Sequence, residues 1–175
     1  MRTFDIAGPV VPRKHYCIPP LSRVDLDDVL LLLQIERNFL LHGPRQTGKT
    51  SVLKALRDHL NAKGEYRCLY ASFELGKVIG EDSAAAIRTL LGKIGSLAID
   101  TLQDDFVAKS KVELLDEFGP DFALEEILGR WSMADPKPLV LLIDEIDSLV
   151  GDTLISVLTQ LRSGFNRRPD GFAMK

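Results

Sequence analysis

Nine residues in the first third of the chain constrain its fold more than any other feature. Residues 43–51 read GPRQTGKTS and fit the pattern G-x-x-x-x-G-K-[ST], known as Walker A. Gly43 and Gly48 permit backbone conformations that a Cβ would forbid, so that consecutive N–H groups can point into one concavity. Lys49 adds a mobile positive charge, and Thr50 adds a hydroxyl suited to Mg²⁺. The stretch is therefore predicted to bind a polyphosphate.

The flanking residues supply the context that this pattern requires. Residues 38–42 form a short, mostly apolar run, which predicts a buried parallel strand. After the loop, apolar residues recur at helical spacing, which predicts a helix ending at Gly64. A surface glycine turn with an incidental lysine is the alternative, and the predicted order of strand, loop and helix argues against it.

A second motif lies some 95 residues further along the chain. Residues 139–143 are all apolar and are followed by Asp144 and Glu145, which is the Walker B pattern of a buried strand with carboxylates at its tip. If this strand lies beside the loop strand, Asp144 faces the Mg²⁺ held by Thr50, through a coordinated water. Glu145 is then placed to act on a water in line with the γ-phosphate. The alternative is a buried strand that ends in two solvated acids. Asp147 can cap the next helix or lie near the metal, and a cap or a plain surface position is predicted.

Composition limits the class of protein. The chain has 175 residues, enough for one domain, with 45% hydrophobic and 27% charged residues. A formal net charge of −3 argues against a generally basic nucleic-acid-binding surface. Cys17 and Cys68 match no metal or redox spacing and are interpreted as reduced thiols. No apolar run approaches the ~20 residues needed to span a bilayer, and no signal peptide is recognised. We therefore expect a cytoplasmic protein without membrane contact.

The remaining stretches predict a series of elements. Four prolines favour an extended segment over residues 1–21. By resemblance to many P-loop ATPases, whose segment before the Walker A strand lies against the adenine base, Tyr16, Ile18 or Pro19 could do so here, and the alternative is that they cover a sheet edge. A helix capped by Ser22 is predicted next, over residues 24–34. Further elements are predicted at residues 67–73 (strand), 81–99 (helix), 100–120 (a mobile helical insert with a solvated acidic face) and 122–133 (helix). Glu74, at the end of the second strand, is interpreted as a surface carboxylate.

The two motifs together resemble a known group of proteins. GPRQTGKT followed by LVLLIDEID is similar to the AAA+ and signal-transducing (STAND-like) ATPases of the P-loop NTPase class. The form HGPRQTGKTS, with the preceding HYCIPPLSR segment and a short helix, resembles bacterial and archaeal AAA-like ATP-binding proteins. The resemblance covers roughly residues 14–165. It implies an α/β fold of three layers, α/β/α, with a mainly parallel sheet.

The resemblance also implies a site for ATP and Mg²⁺. Lys49 and Glu145 are the expected catalytic residues, and Thr50 and Asp144 the expected metal ligands. The expected nucleotide contacts are Gly43, Pro44, Arg45, Gln46, Thr47, Gly48, Lys49, Thr50 and Ser51.

The sequence departs from the family pattern after its second motif. One helix follows Glu145, and the sequence then stops where a strand with a polar sensor residue is expected. We therefore expect residues 22–175 to be an ATPase domain that is incomplete at its C-terminus, without the sensor, arginine finger and lid. Further C-terminal domains or a protein partner are expected, and oligomerisation is left open. Arg162, Arg167 and Arg168 precede the missing strand, so they are interpreted as solvated or neighbour-contacting residues.

Three functions fit these observations. The first is Mg²⁺-dependent ATP hydrolysis, and the second is a nucleotide-dependent switch with little turnover of its own. The third is a P-loop kinase, which the adjacent acids and the lack of a recognisable acceptor-binding segment disfavour. No guanine-specific [NT]-K-x-D motif accompanies the loop.

Overall fold

The computed structural model describes residue 3 and residues 14–44, 46–74 and 82–167. It confirms the α/β class and divides into two compact units, Met1–His59 and Leu60–Lys175. The helices are α1 (Leu26–Gln34), α2 (Lys49–Lys63), α3 (Ser83–Leu102), α4 (Phe106–Phe118), α5 (Pro120–Met133) and α6 (Gly151–Asn166). The strands are β1 (Arg67–Ser72) and β2 (Leu139–Asp144). Two short 3₁₀ turns span Pro20–Arg23 and Ile146–Ser148.

In the first unit, α1 is capped by Asp25, so the predicted Ser22 cap is wrong. The Oδ1 atom of Asp25 accepts a hydrogen bond from the Asp28 N–H at 3.1 Å. Ser22 lies in the preceding 3₁₀ turn, where its hydroxyl donates to the Pro19 carbonyl at 2.8 Å. The two prolines at positions 19 and 20 favour this tight turn, which already uses the Ser22 hydroxyl. The helix consequently starts at Leu26.

The strand predicted over residues 38–42 is not formed. The structure describes these residues as irregular, and Leu40 is 82% exposed. A β-strand forms only where its backbone groups hydrogen-bond to a neighbouring strand. An apolar run in the sequence does not indicate whether such a neighbour is present. Among the described residues, the sheet consists of β1 and β2.

In the second unit, β1 and β2 pair in parallel. The register runs from Arg67 opposite Leu139 to Ser72 opposite Asp144. The two strands therefore end at the same edge of the sheet, the edge where ligands bind in open α/β folds. Parallel strands need a long crossover connection, and α3, α4 and α5 lie within the one between β1 and β2.

Asn61 fixes the outer backbone of β1. Its side-chain amide accepts a hydrogen bond from the Cys68 N–H at 2.7 Å and donates to the Cys68 carbonyl at 2.9 Å. The amide thereby takes the place of a strand neighbour at this position. Just beyond α2, Gly64 has a φ of +73°, which confirms the predicted helix-ending glycine.

The core of the second unit forms between the sheet and the crossover helices. Leu69, Ala71 and Leu139 on the strands are fully buried, as is Trp131 on α5. On α3, Ile87, Leu90, Leu91, Ile94 and Ala98 are buried at helical spacing, and Leu97 is partly buried. Of the helices in the described ranges, none has both the length and the apolarity needed to cross a membrane.

The acidic stretch after α3 is an integral part of this core. α4 buries Val107 and Leu114, and a Cβ on Gly95 of α3 would lie 3.1 Å from the backbone nitrogen of Ala108. A side chain larger than hydrogen at position 95 would therefore require the backbone of α4 to shift by a few tenths of an ångström. The predicted helix is confirmed, but the predicted wholly solvated acidic face is wrong for Asp104.

Asp104 forms a part-buried ion pair with Arg67. The Arg67 guanidinium contacts the Asp104 carboxylate, and Arg67 is only 8% exposed. The indole N–H of Trp131 donates to Oδ2 of the same carboxylate at 2.8 Å, and the Arg67 Cζ atom lies 5.6 Å from the Trp131 ring centroid. Oδ1 accepts the backbone N–H of Phe106 at 2.8 Å, at the start of α4. One carboxylate thus links β1, α4 and α5.

A buried amide connects α6 with the start of α5. Gln160 is 3% exposed, and its Oε1 accepts the N–H groups of Leu124 (2.9 Å) and Glu125 (3.3 Å). Its Nε2 donates to the Pro120 carbonyl at 3.0 Å. These bonds tie the buried side chain of α6 to backbone groups near the N-terminal end of α5.

Candidate functional site

The predicted phosphate-binding loop leads directly into α2. Gln46 and Gly48 have left-handed backbone conformations, with φ of 60° and 82°. The Thr47 hydroxyl donates to the Pro44 carbonyl at 2.8 Å, which closes the loop on itself. Because α2 begins at Lys49, the loop delivers the chain to the positive end of a helix dipole. Arg45, one of the predicted contacts, lies outside the described residues.

Gly48 is favoured by its backbone conformation, and its nearest side chain is that of Arg23. A Cβ at this position would lie 2.7 Å from Nη1 of Arg23 and would also be strained at the observed φ. The Arg23 guanidinium therefore lies against the phosphate-binding loop. Within the described ranges, the Arg23 side chain has no hydrogen-bond or ion-pair partner.

The Lys49 ammonium is held over the loop that precedes it. Nζ donates to the carbonyls of Gly43 at 2.9 Å and Pro44 at 2.8 Å. These two bonds span almost the whole loop, so the structure brings Gly43, Pro44, Thr47 and Lys49 together. An ammonium in this place puts one positive charge at the concavity that the sequence predicts for phosphate.

Asp144 lies at the tip of β2 and is only 9% exposed. Its Oδ2 accepts the phenol hydroxyl of Tyr70 at 2.9 Å, and its Oδ1 accepts the Glu145 N–H at 3.0 Å. Both contacts lie within the second unit. A carboxylate so little exposed needs such hydrogen bonds, since its desolvation would otherwise be costly.

Glu145 is exposed and has a left-handed backbone, with φ 55° and ψ 34°. This conformation is uncommon for a residue other than glycine, asparagine or aspartate. It turns the chain sharply at the end of β2, directly after Asp144, and leads into the 3₁₀ turn Ile146–Ser148. The two predicted acids therefore differ in environment, one nearly buried and one in solvent.

Several hydrogen bonds hold the strand tips together. The Phe73 N–H donates to the Asp144 carbonyl at 2.8 Å. The Ser148 hydroxyl donates to the Phe73 carbonyl at 2.5 Å, and the Lys93 ammonium donates to the carbonyl of Ser72. The edge that carries Asp144 is thus braced by α3, β1 and the 3₁₀ turn.

The structure also locates the residues with less certain sequence interpretations. Asp147 is exposed, and α6 begins after Val150 without a side-chain cap, so the predicted surface position is confirmed and the cap is wrong. Glu74 is exposed beyond β1, as expected. Tyr16 and Ile18 are 55% and 68% exposed. For these side chains, the adenine contact and the sheet-edge cover both stay predictions.

Arg162 on α6 and Arg167 just after this helix have different environments. Arg167 contacts the carboxylates of Glu126 at 2.6 Å and Glu125 at 3.1 Å, and these hydrogen bonds raise the pKa of its guanidinium. This side chain is engaged within its own chain, as the neighbour-contacting interpretation expected. Arg162 is exposed, and Arg168 lies outside the described residues.

Two residues near the predicted site were missed by sequence reasoning. Arg23 lies against Gly48, although it precedes it by 25 positions, and Tyr70 contacts Asp144 from a different strand. A weak signal existed for Tyr70, because its position two residues before the end of a parallel strand places it near the sheet edge. No spacing rule indicates Arg23.

Comparison with known protein families gives a match over most of the chain. A family model described as an AAA ATPase domain matches residues 26–167, about four fifths of the chain. The matched range includes the loop, Asp144 and Glu145. No curated protein and no solved structure matches significantly.

Proposed function

The chain belongs to the AAA ATPase domain family, and from this premise we propose that it binds ATP with Mg²⁺ and hydrolyses it to ADP and phosphate. The observation that carries the proposal is the Lys49 ammonium, held by the carbonyls of Gly43 and Pro44 at the start of α2. A cation, a left-handed glycine and a helix N-terminus converge on this loop. Together they favour a ligand with several negative charges.

The proposed nucleotide contacts are the loop residues 43–51. Backbone N–H groups of the loop and the first turn of α2 would donate to the phosphate oxygens, since these groups have no partner inside the helix. Lys49 would exchange its carbonyl contacts for β- and γ-phosphate oxygens, which are stronger, charged acceptors. Arg23 adds a second positive charge beside Gly48. The loop thus supports binding through phosphate.

The oxygen donors of the chain fit Mg²⁺. This ion prefers hard oxygen ligands and usually takes one or two from protein, with waters and phosphates completing six. We assign these protein contacts to the Thr50 hydroxyl and the Asp144 carboxylate. When bound, the ion would neutralise charge that develops on the phosphates. Across the described ranges, no three His, Cys, Asp or Glu side chains form a cluster of the kind a protein-only metal cage would need.

Glu145 is the proposed base. Its carboxylate would accept a proton from a water that attacks the γ-phosphorus, while the bond from this phosphorus to the bridging oxygen breaks and ADP leaves. Its exposure suits this role, because an exposed carboxylate has access to water. Asp144 is less suited to it, because both of its oxygens already accept hydrogen bonds.

Calorimetric titration of the chain with ATP, ADP, GTP and adenosine, with and without Mg²⁺, tests the proposal. We expect ATP and ADP to bind, Mg²⁺ to strengthen ATP binding, and adenosine to bind much more weakly. This order follows because the described contacts favour the phosphates. Adenosine binding as tight as ATP binding would contradict a phosphate-centred site, and no binding by any nucleotide would refute the function as a whole.

Replacing Glu145 with glutamine separates binding from turnover. The amide keeps the size of the side chain and loses the base, so ATP affinity should stay within about two-fold. Phosphate release should fall by about 10²- to 10⁴-fold, the usual contribution of a general base. A coupled phosphate-release assay measures the rate. Asp147→Asn is the matched control, because it removes another exposed carboxylate two positions away. Equal rates for Glu145→Gln and the unchanged chain would remove Glu145 from this role.

Replacing Arg23 with glutamine should weaken ATP and ADP binding by about two- to five-fold, because an exposed charge contact contributes up to ~1 kcal/mol. The loss should shrink at high salt, where the charge is screened. Arg37→Gln is the control, since Arg37 is also an exposed arginine of the first unit. Calorimetry at two salt concentrations measures the ATP and ADP affinities of both variants. Equal losses in the two variants would indicate a general effect of net charge.

A further inference from the structure

Tyr70 holds one oxygen of Asp144. Its hydroxyl donates to Oδ2 at 2.9 Å from β1, while Asp144 ends β2. The ladder pairs Tyr70 with Leu142 and Ser72 with Asp144, so the contact runs diagonally across two neighbouring strands. Diagonal neighbours are within reach of an aromatic side chain. The phenol ring thus bridges the sheet at its carboxyl edge.

The opposite oxygen of Asp144 is held separately. Oδ1 accepts the Glu145 N–H at 3.0 Å, and this donor is fixed by the left-handed turn that follows the strand. The terminal torsion of an aspartate is soft and broad when nothing holds it. With one donor on each oxygen, the plane of this carboxylate is set. Of these two hydrogen bonds, the one from the Tyr70 hydroxyl comes from a neighbouring strand, and the other comes from the adjacent backbone.

The frame that carries Tyr70 is itself firm. β1 is hydrogen-bonded to β2 along its whole length, and the Asn61 amide holds its backbone at Cys68. Beyond Ser72, the bond from the Phe73 N–H to the Asp144 carbonyl prolongs the ladder. The distance between the Tyr70 backbone and the Asp144 backbone is therefore fixed by the sheet. A hydroxyl held by such a frame can keep the carboxylate in one orientation, as a metal contact requires.

We propose that Tyr70 is a positioning residue that orients the Asp144 carboxylate toward the Mg²⁺ of the bound nucleotide. The inference rests on the proposed function, in which Asp144 contacts that ion. Groups that hydrogen-bond to a metal-binding carboxylate fix its direction, and their loss typically costs about 10- to 100-fold in metal affinity. Tyr70 would touch neither the ion nor the nucleotide. Its effect should appear in the Mg²⁺ dependence of ATP binding.

Tyr70→Phe tests the inference by removing only the hydroxyl. The measurement is the Mg²⁺ concentration that gives half of the Mg²⁺-dependent gain in ATP affinity, determined by calorimetry. We expect this concentration to rise about 10-fold or more, while ATP affinity without Mg²⁺ stays unchanged. Tyr66→Phe is the control, because it makes the same chemical change just before β1, at the other end of the strand. An unchanged Mg²⁺ requirement in Tyr70→Phe would overturn the proposal.

A double-mutant cycle separates positioning from general support of the fold. Asp144→Asn alone should raise the Mg²⁺ requirement, and adding Tyr70→Phe to it should cause no further rise, because the oriented carboxylate is already gone. Independent, additive losses would show that Tyr70 does not act through Asp144 and would overturn the proposal. The thermal midpoint of each variant shows whether it is folded under the conditions of the titration.

A measurement on the unaltered chain covers the case in which Tyr70→Phe does not fold. In protein labelled with ¹³C at the tyrosine Cζ atoms, the Tyr70 resonance should shift when Mg²⁺ is added to the ATP complex. The resonance of Tyr66 should stay in place and serve as the internal reference. If the Tyr70 resonance does not shift when Mg²⁺ is added, the inference about Tyr70 is refuted, and the proposed function is not affected. If ATP binding by the unaltered chain does not respond to Mg²⁺, the proposed metal site fails, and the Tyr70 inference fails with it.

Discussion

Lys49→Ala should reduce ATP and ADP affinity by at least about 100-fold, corresponding to ~2.7 kcal/mol. The expected size follows from the contacts of the ammonium, which bonds to the carbonyls of Gly43 and Pro44 and lies at the start of α2. Each charged hydrogen bond to a phosphate oxygen contributes about 1.5–3 kcal/mol, and alanine can make none. Titration calorimetry of the variant with ATP and ADP measures the loss.

Lys54→Ala is the matched control for this result. It removes the same charged group from an exposed position of α2, five residues beyond Lys49. If net charge alone governed affinity, both variants would lose binding equally, whereas a specific site predicts a change within about two-fold for Lys54→Ala. Since alanine at position 49 also removes two bonds to the loop, Lys49→Gln provides a second variant with a longer polar side chain. Undiminished ATP affinity in both Lys49 variants would contradict the proposed site.

Asp104→Ala should lower the free energy of unfolding by up to about 3–5 kcal/mol, the usual cost of removing one partner of a buried ion pair, because the second carboxylate near Arg67, that of Asp135, lies 3.8 Å away and is more exposed. Arg67 is 8% exposed, and the Asp104 carboxylate is its closest charged partner. The same substitution removes the acceptor of the Trp131 indole N–H and the cap of the first turn of α4. Urea unfolding followed by Trp131 fluorescence measures the change.

Asp105→Ala is the control that distinguishes the loss of the Asp104 contacts from the loss of an ordinary surface charge. Asp105 is the next residue, and its carboxylate is 56% exposed and pairs with Lys109 one helical turn away. Such a pair contributes only about 0.3–0.5 kcal/mol, so the two neighbouring substitutions should differ by several kcal/mol. Asp104→Asn should fall between them, because an amide oxygen still accepts one hydrogen bond but carries no charge. A loss below about 1 kcal/mol for Asp104→Ala would show that the ion pair does not hold these elements together.

The local elements of the second unit were predictable because each has its own periodic signal. The apolar residues of α3 recur at helical spacing, and β2 is an apolar run ended by two acids. Gly64 ends α2, as a glycine after a helical pattern predicts. Resemblance to AAA-class ATPases followed from the two motifs and is confirmed by the family match.

What the sequence did not reveal depends on contacts between distant residues. Asp104 belongs to a run of acids that resembles a solvated face, and its partner Arg67 lies 37 positions earlier. The irregular structure at residues 38–42 depends on strand neighbours, which an apolar run does not encode. The Tyr70 contact depends on the register of β1 against β2, and a shift of one residue would turn the ring to the opposite face. Assignment of individual loop residues to phosphate contacts stays a prediction.

The backbone of Glu145 implies a conflict between folding and activity at this position. A left-handed conformation costs a glutamate roughly 1 kcal/mol that glycine or asparagine would largely avoid. If stability were the only requirement, one of those residues would serve the turn better. In the proposed mechanism, the carboxylate at this position acts as the base, and its placement then costs the chain part of its stability. When variants are selected only for resistance to heat, substitutions should therefore accumulate at position 145. These variants should lose ATP turnover as they gain stability.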